Sequence, residues 1–168
     1  HWLTNNDDVN DYAGTNDGTN YGSTYSLDNP SPAVEFGNAS RSFDGVNDEV
    51  VLGDVLGSVF AGTGKKWTVA AWVKSEDLDN DLILSKWHYT AHEREFFFRV
   101  TTSGELAVSM SSDGTSSNRW GRKTGTGVIT VNNWHHVAVT YDQTATGDYL
   151  RIWVDGTEQT SLIAYNVN

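Results

Sequence analysis

Tyr149-Leu150-Arg151-Ile152-Trp153-Val154-Asp155-Gly156 is the stretch whose reading decides the fold. Successive side chains of a strand alternate, so Leu150, Ile152 and Val154 share one face while Tyr149, Arg151 and Trp153 share the other. Asp155-Gly156 is a pair suited to a two-residue turn with positive φ at both positions, so the strand runs into a hairpin. Glu95-Phe96-Phe97-Phe98-Arg99-Val100-Thr101 repeats the pattern, with Phe96, Phe98 and Val100 opposite Phe97, Arg99 and Thr101. A sheet wetted on one side does not carry so much aromatic surface on its outer face. The pattern predicts a two-sheet antiparallel β-sandwich whose second surface is covered by loops or curved into a groove.

Outward from these segments, short runs rich in Val, Trp, Phe, Tyr and Thr alternate with turn residues. Residues 41–43 and 49–52 read as short strands around the turn Asp44-Gly45-Val46-Asn47-Asp48. Residues 67–73 form a strand, followed by an acidic loop over 76–81 and a strand over 82–85. Residues 95–101 and 105–110 make a hairpin across Thr102-Ser103-Gly104. A Gly/Ser/Thr-rich loop over 111–127 leads to a strand at 134–141. The first 35 residues, mostly Asn, Asp, Gly, Thr and Ser, read as a tethered loop. Thr occurs 18 times and Asn 14 times, and no window keeps apolar residues at helical spacing, so the class is all-β. The 168 residues suit a single domain over 1–168, long enough to hold a core without staples.

Composition narrows the chemistry. There is no Cys, which excludes disulfides, thiolate metal sites and cysteine catalysis. No apolar run is long enough to insert into a membrane as a helix. The formal charge is −11 and the sequence pI about 4.6. A field of that sign repels phosphate backbones and anionic membranes, so neither nucleic acid nor membrane is an expected partner. It is compatible with glycans and divalent cations.

The string Phe36-Gly37-Asn38-Ala39-Ser40-Arg41-Ser42-Phe43-Asp44-Gly45-Val46-Asn47-Asp48-Glu49-Val50 resembles the opening of bacterial laminin-G-like domains, members of the concanavalin A-like lectin/glucanase superfamily. Trp67-Thr68-Val69-Ala70-Ala71-Trp72-Val73-Lys74, Trp134-His135-His136-Val137-Ala138-Val139-Thr140-Tyr141-Asp142 and Ile152-Trp153-Val154-Asp155-Gly156-Thr157 are similar to later blocks of the same family. Asp11-Tyr12-Ala13-Gly14-Thr15-Asn16-Asp17-Gly18-Thr19 is similar to its lead-in. The resemblance implies a concanavalin A-like jelly roll. The family closes with a Gly-x-Ile-Asp-Glu type strand that this sequence lacks. The chain is therefore expected to be part of a longer protein, or to have its sheet completed by a neighbouring domain or subunit. Glu49 stands where the family often has Tyr, so no aromatic contact is carried over there.

Hydrolysis of a glycoside needs two carboxylates across a sugar ring. The glucanase branch supplies them from Glu-x-Asp-x-x-Glu on one strand, whereas Glu93-Arg94-Glu95-Phe96 has no third acid and reads as a charged strand end. The side-chain strings of related polysaccharide lyases are absent too, so no enzyme is expected. His1 has no second His placed for a copper brace, and His135 and His136, being adjacent, point to opposite faces. Asp77-x-Asp79-x-Asp81 imitates a calcium loop but places Leu82 where Gly belongs and His88 where Glu belongs. Calcium is better placed at Asp44, Asn47 and Asp48, or at Asp11 and Asp17, because the resemblance implies a structural Ca²⁺ near the opening strands. The competing reading has these side chains accept local backbone hydrogen bonds. Asn38-Ala39-Ser40 matches a glycosylation sequon.

Rings in loops point to a ligand. Trp87-His88-Tyr89, then His92 and Arg94, and across the hairpin Arg119, Trp120 and Arg122, form an expected ligand-binding set. A sugar offers an apolar C–H face with hydroxyls at its edge, so rings flanked by Arg and His suit it. Lys86 and Lys123 add positive charge nearby, which tilts the expectation toward an anionic or sulfated glycan. The competing reading folds Trp87 and Trp120 back to cap the sandwich. The expected function is a non-catalytic module binding polysaccharide or cell-surface glycan, serving adhesion outside the cell, on a cell surface or on a virion. The alternative is a structural or protein-interaction domain of a surface assembly, filament or virion.

Overall fold

The period-two alternation in the sequence becomes, among the described residues, thirteen strands and a single helical turn. A computed structural model of the protein describes residues 8–30, 39–60, 63–88, 93–115, 117–146 and 149–165. By their internal contacts the residues fall into two units, His1–Val55 and Leu56–Asn168.

The first unit holds two small antiparallel ladders. β1 (Thr19–Tyr21) pairs with β4 (Glu49–Val51), and β2 (Thr24–Ser26) with β3 (Ser40–Ser42). The strands expected on either side of Asp44–Asp48 therefore do form, but each pairs with a strand drawn from the stretch read as loop. Strands of three residues are too short for alternation to reveal them against a Thr/Ser/Asn background.

The second unit begins with a single helical turn, α1 (Gly57–Phe60), and continues through β5 (Lys66–Val73), β6 (Leu82–His88), β7 (Glu93–Val100), β8 (Leu106–Gly114) and β9 (Arg119–Lys123). It ends with β10 (His135–Asp142), β11 (Leu150–Val154), β12 (Thr157–Glu158) and β13 (Ile163–Ala164). One sheet has the order β12-β11-β10-β5 and the other β13-β9-β8-β7-β6, with antiparallel pairing throughout. Asp155 and Gly156 take φ of 50° and 77°, as the turn between β11 and β12 requires.

The two sheets pack face to face. Val137, Val139, Leu150, Ile152 and Val154 of one meet Phe96, Phe98, Val100, Leu106 and Val108 of the other in one buried cluster. Trp67 of β5 lies edge-on to Phe96 of β7, with ring centroids 5.0 Å apart. Each large apolar side chain so buried contributes about 1.5–3 kcal/mol.

The outer faces differ, and each answers one half of the sequence expectation. On the five-stranded sheet the outer face is covered: Phe97 is 3% exposed, and Ala107 and Ser109 are wholly buried. The rings of Trp87 and Tyr165 stand edge-on to Phe97, and the Arg99 guanidinium lies over both Phe97 and Tyr165. On the four-stranded sheet the outer face is open. Trp72 and Tyr149 are 44% and 45% exposed, and Thr68, Ala70 and Arg151 also reach solvent.

Candidate functional site

Strand register sets out the open face as rows of side chains. Lys66 stands across from Asp142, and the Asp142 amide donates to the Tyr149 carbonyl, so these three make the first row. Thr68, Thr140 and Arg151 form the second. Ala70, Ala138 and Trp153 form the third, and Trp72 with His136 the fourth. The first three rows surround a groove of about 500 Å³ whose lining includes Lys66, Thr68, Asp142, Tyr149, Arg151 and Trp153. Trp67 and Tyr141 border it as well.

Charges in the groove are paired. Lys66 Nζ lies 3.0 Å from Asp142 Oδ2, and Arg151 Nη1 lies 3.7 Å from Glu158 Oε2. The Thr144 hydroxyl and amide donate to Asp142 Oδ1 at 2.7 and 2.9 Å. The Thr144 hydroxyl, Lys66 and the Thr144 amide together hold the Asp142 carboxyl down to about 2. Burial, and then the neighbouring Tyr149 phenol, push the Tyr141 phenol up. The groove thus offers the outward Tyr149 and Trp153 rings, with Trp67 and Tyr141 at its border, a floor of hydroxyls and a fixed set of hydrogen-bond donors.

The expected ligand-binding residues do not form one surface. Trp87 and His88 lie in β6, and Arg119, Trp120 and Arg122 in β9, where a loop is expected from the Gly/Ser/Thr content. The β8–β9 hairpin is hidden in sequence because Ser109, Ser111 and Gly121 fill the positions between its larger residues. Trp120 stands across from Met110 and packs on the core, 5.8 Å from the Tyr141 ring, as the capping alternative has it. Trp87 instead meets Phe97 on the opposite, outer face of the same sheet. The structure does bring Trp87 and Arg94 together, as cross-strand partners, and Arg94 reaches the Gly114 carbonyl. Arg122 stands across from Val108, and Arg119 across from Ser111. Tyr89 and His92 lie outside the described residues.

The basic residues read as an anion-binding set are also engaged. Lys86 pairs with Glu95 at 3.3 Å, and Lys123 with Glu105 at 2.8 Å.

The oxygens expected to hold calcium serve their own turns. Asp44 Oδ1 accepts the amides of Val46 and Asn47, and Asp48 Oδ2 accepts that of Asp44. The first two of these amides hold the Asp44 carboxyl below its usual range. Asp11 accepts the amides of Ala13 and Asn16, and Asp17 that of Asp11. Among the described residues, no three His, Asp or Glu side chains gather as a metal site, and the named oxygens of these turns accept backbone amides, as the competing reading has it. His135 and His136 do diverge: His136 lies edge-on to Trp72, while His135 turns to Asp155.

Three groove-lining residues outside the expected set, Tyr149, Arg151 and Trp153, carry their signal in the alternation of 149–154, which puts rings on an outer face with no core to fill.

The two facing antiparallel sheets are those of a concanavalin A-like β-sandwich. A family model of the concanavalin A-like lectin/glucanases superfamily, Laminin_G_3, matches residues 43–167, and the chain belongs to this family. No curated protein and no solved structure matches it.

Proposed function

We propose that the chain is a non-catalytic carbohydrate-binding module, displayed outside the cell, whose ligand lies in the groove on the outer face of the four-stranded sheet. The observation that carries this reading is the placement of the Tyr149 and Trp153 rings on either side of Arg151, above the Thr68–Thr140 pair. Rings stack on the C–H face of a sugar, and hydroxyl and guanidinium groups bind its edge.

The acid inventory supports binding without turnover. Among the described residues lining the groove Asp142 is the one carboxylate, and it stays ionised. A glycosidase needs a second carboxyl and a raised pKa on its acid.

The test is a polysaccharide array read with fluorescently labelled protein, alongside a reducing-sugar assay on every polymer bound. Retention on at least one polymer with no reducing ends released supports the proposal. Release of reducing ends makes the chain an enzyme. Retention on none leaves the structural or protein-interaction alternative.

A further inference from the structure

We infer that the groove takes an internal stretch of an uncharged polysaccharide chain, laid along β11 from Tyr149 to Trp153, rather than a terminal sugar or a sulfated or uronate-bearing chain. The inference rests on the glycan reading above and adds the class of glycan.

Length is the first argument. Tyr149 and Trp153 lie four residues apart on one face of an extended segment, about 13 Å at the rise of a strand. One pyranose ring cannot touch both. Arg151 stands between them, with Thr140 and Thr68 beside it, so a chain crossing the groove meets ring, polar row and ring in turn. Past Trp153's own row, in which Ala70 and Ala138 are small, the exposed Trp72 ring stands edge-on to His136. A chain that runs past Trp153 meets a further exposed ring, Trp72, on the same face, which suits a mid-chain segment.

Charge is the second argument. Both groove cations already face an acid, Lys66 with Asp142 and Arg151 with Glu158. The Asp142 carboxylate has both oxygens engaged, one by Lys66 and the other by Thr144. It therefore positions the Lys66 ammonium, whose remaining hydrogens are donors for sugar hydroxyls. A polyanion would have to break these pairs and approach a chain of net charge −11. An uncharged chain uses the donors without that conflict.

The experiment is titration calorimetry of the 168-residue protein with neutral gluco-, xylo- and manno-oligosaccharides from mono- to hexasaccharide, and with heparin and polygalacturonate. Affinity in one neutral series should climb with length, the monosaccharide should give no heat, and added salt should change Kd less than about twofold, because no ion pair forms with the ligand. Trp153→Ala and Tyr149→Ala should each weaken the longest oligosaccharide about tenfold or more, with unchanged melting temperature. A monosaccharide binding as well as the hexamer, or heparin or polygalacturonate binding alone, overturns the assigned class; if Trp153→Ala still abolishes that binding, the groove stands as a glycan site. Binding of no sugar at all removes the glycan reading together with the inference.

Discussion

His135 Nδ1 lies 2.8 Å from Asp155 Oδ2, while Asp155 Oδ1 accepts the His136 amide, also at 2.8 Å. One carboxylate from the β11–β12 turn thus holds the start of β10 by side chain and backbone together. On the far side of the ring, Nε2 takes the Thr130 amide at 3.2 Å. An amide can only donate, so the proton of the neutral ring sits on Nδ1 and points at Asp155. The imidazole joins the loop before β10 to the hairpin after β11.

Burial pushes the Asp155 carboxyl up, but the bonds from His135 and the His136 amide outweigh it and leave the group below its usual range. A depressed carboxyl contributes stability that is present above its unfolded pKa and lost as pH falls through the folded value. Asp155→Asn should cost about 1 kcal/mol or less, since half of the side chain is in water, and lower the melting temperature by about 2–4 °C. Scanning calorimetry at neutral pH checks this. A melting temperature unmoved by Asp155→Asn would show that the hydrogen bonds carry no net stability.

Much of this architecture could be read from residues alone, and what could not has physical causes. The strands at 67–73, 95–101, 134–141 and 149–154 alternate over five residues or more, and each forms with its ends shifted by at most two residues. The β8–β9 hairpin escaped because its outward positions are small and its rims polar, which is also how a loop reads. The expected ring set is dispersed for a related reason. Trp87 and Trp120 drew attention as rings between turn residues, yet cross-strand pairing sends them to opposite faces of one sheet. Residues 149, 151 and 153 showed a ring-bearing outer face, but only the register with β10 and β5 shows Thr140 and Thr68 beneath it.

Acid should weaken the protein in a defined window. Asp113, bonded by the Thr115 amide, the Asn118 amide group and the Thr115 hydroxyl, is held down to about 2, as is Asp142. Both carboxyls are depressed, so their contribution is complete above about pH 4 and lost as pH falls toward about 2. Melting temperature measured against pH should be level near neutrality and fall through that range. Asp113→Asn should flatten part of the fall; an unchanged slope would mean that its hydrogen bonds persist in the unfolded chain.

Gly104 closes the β7–β8 hairpin at φ 66°, and a Cβ there would sit 2.4 Å from the Ile129 carbonyl oxygen. Gly127 has φ 71° with nothing within 4 Å of the added carbon. Gly127→Ala should therefore cost about 1 kcal/mol from backbone conformation, and Gly104→Ala clearly more, because the loop segment at the buried Ile129 must also shift. Urea denaturation of the two variants compares them directly. Equal midpoints would show that the loop yields without cost.

Calcium should leave the fold unmoved. The carboxylates of Asp44, Asp48, Asp11 and Asp17 are engaged with amides of their own turns. Melting temperatures in millimolar calcium and in EDTA should agree. A rise with calcium that Asp44→Asn removes would place an ion there.

Retardation in native gels cast with the neutral polysaccharide that binds best, run side by side for the unmodified protein, Trp153→Ala and Trp87→Ala, tests the central claim most directly. If the open face of the four-stranded sheet holds the sugar, Trp153→Ala migrates as in a gel without polysaccharide while Trp87→Ala stays retarded. If Trp87→Ala loses retardation and Trp153→Ala keeps it, the sugar lies on the other sheet and the account is contradicted.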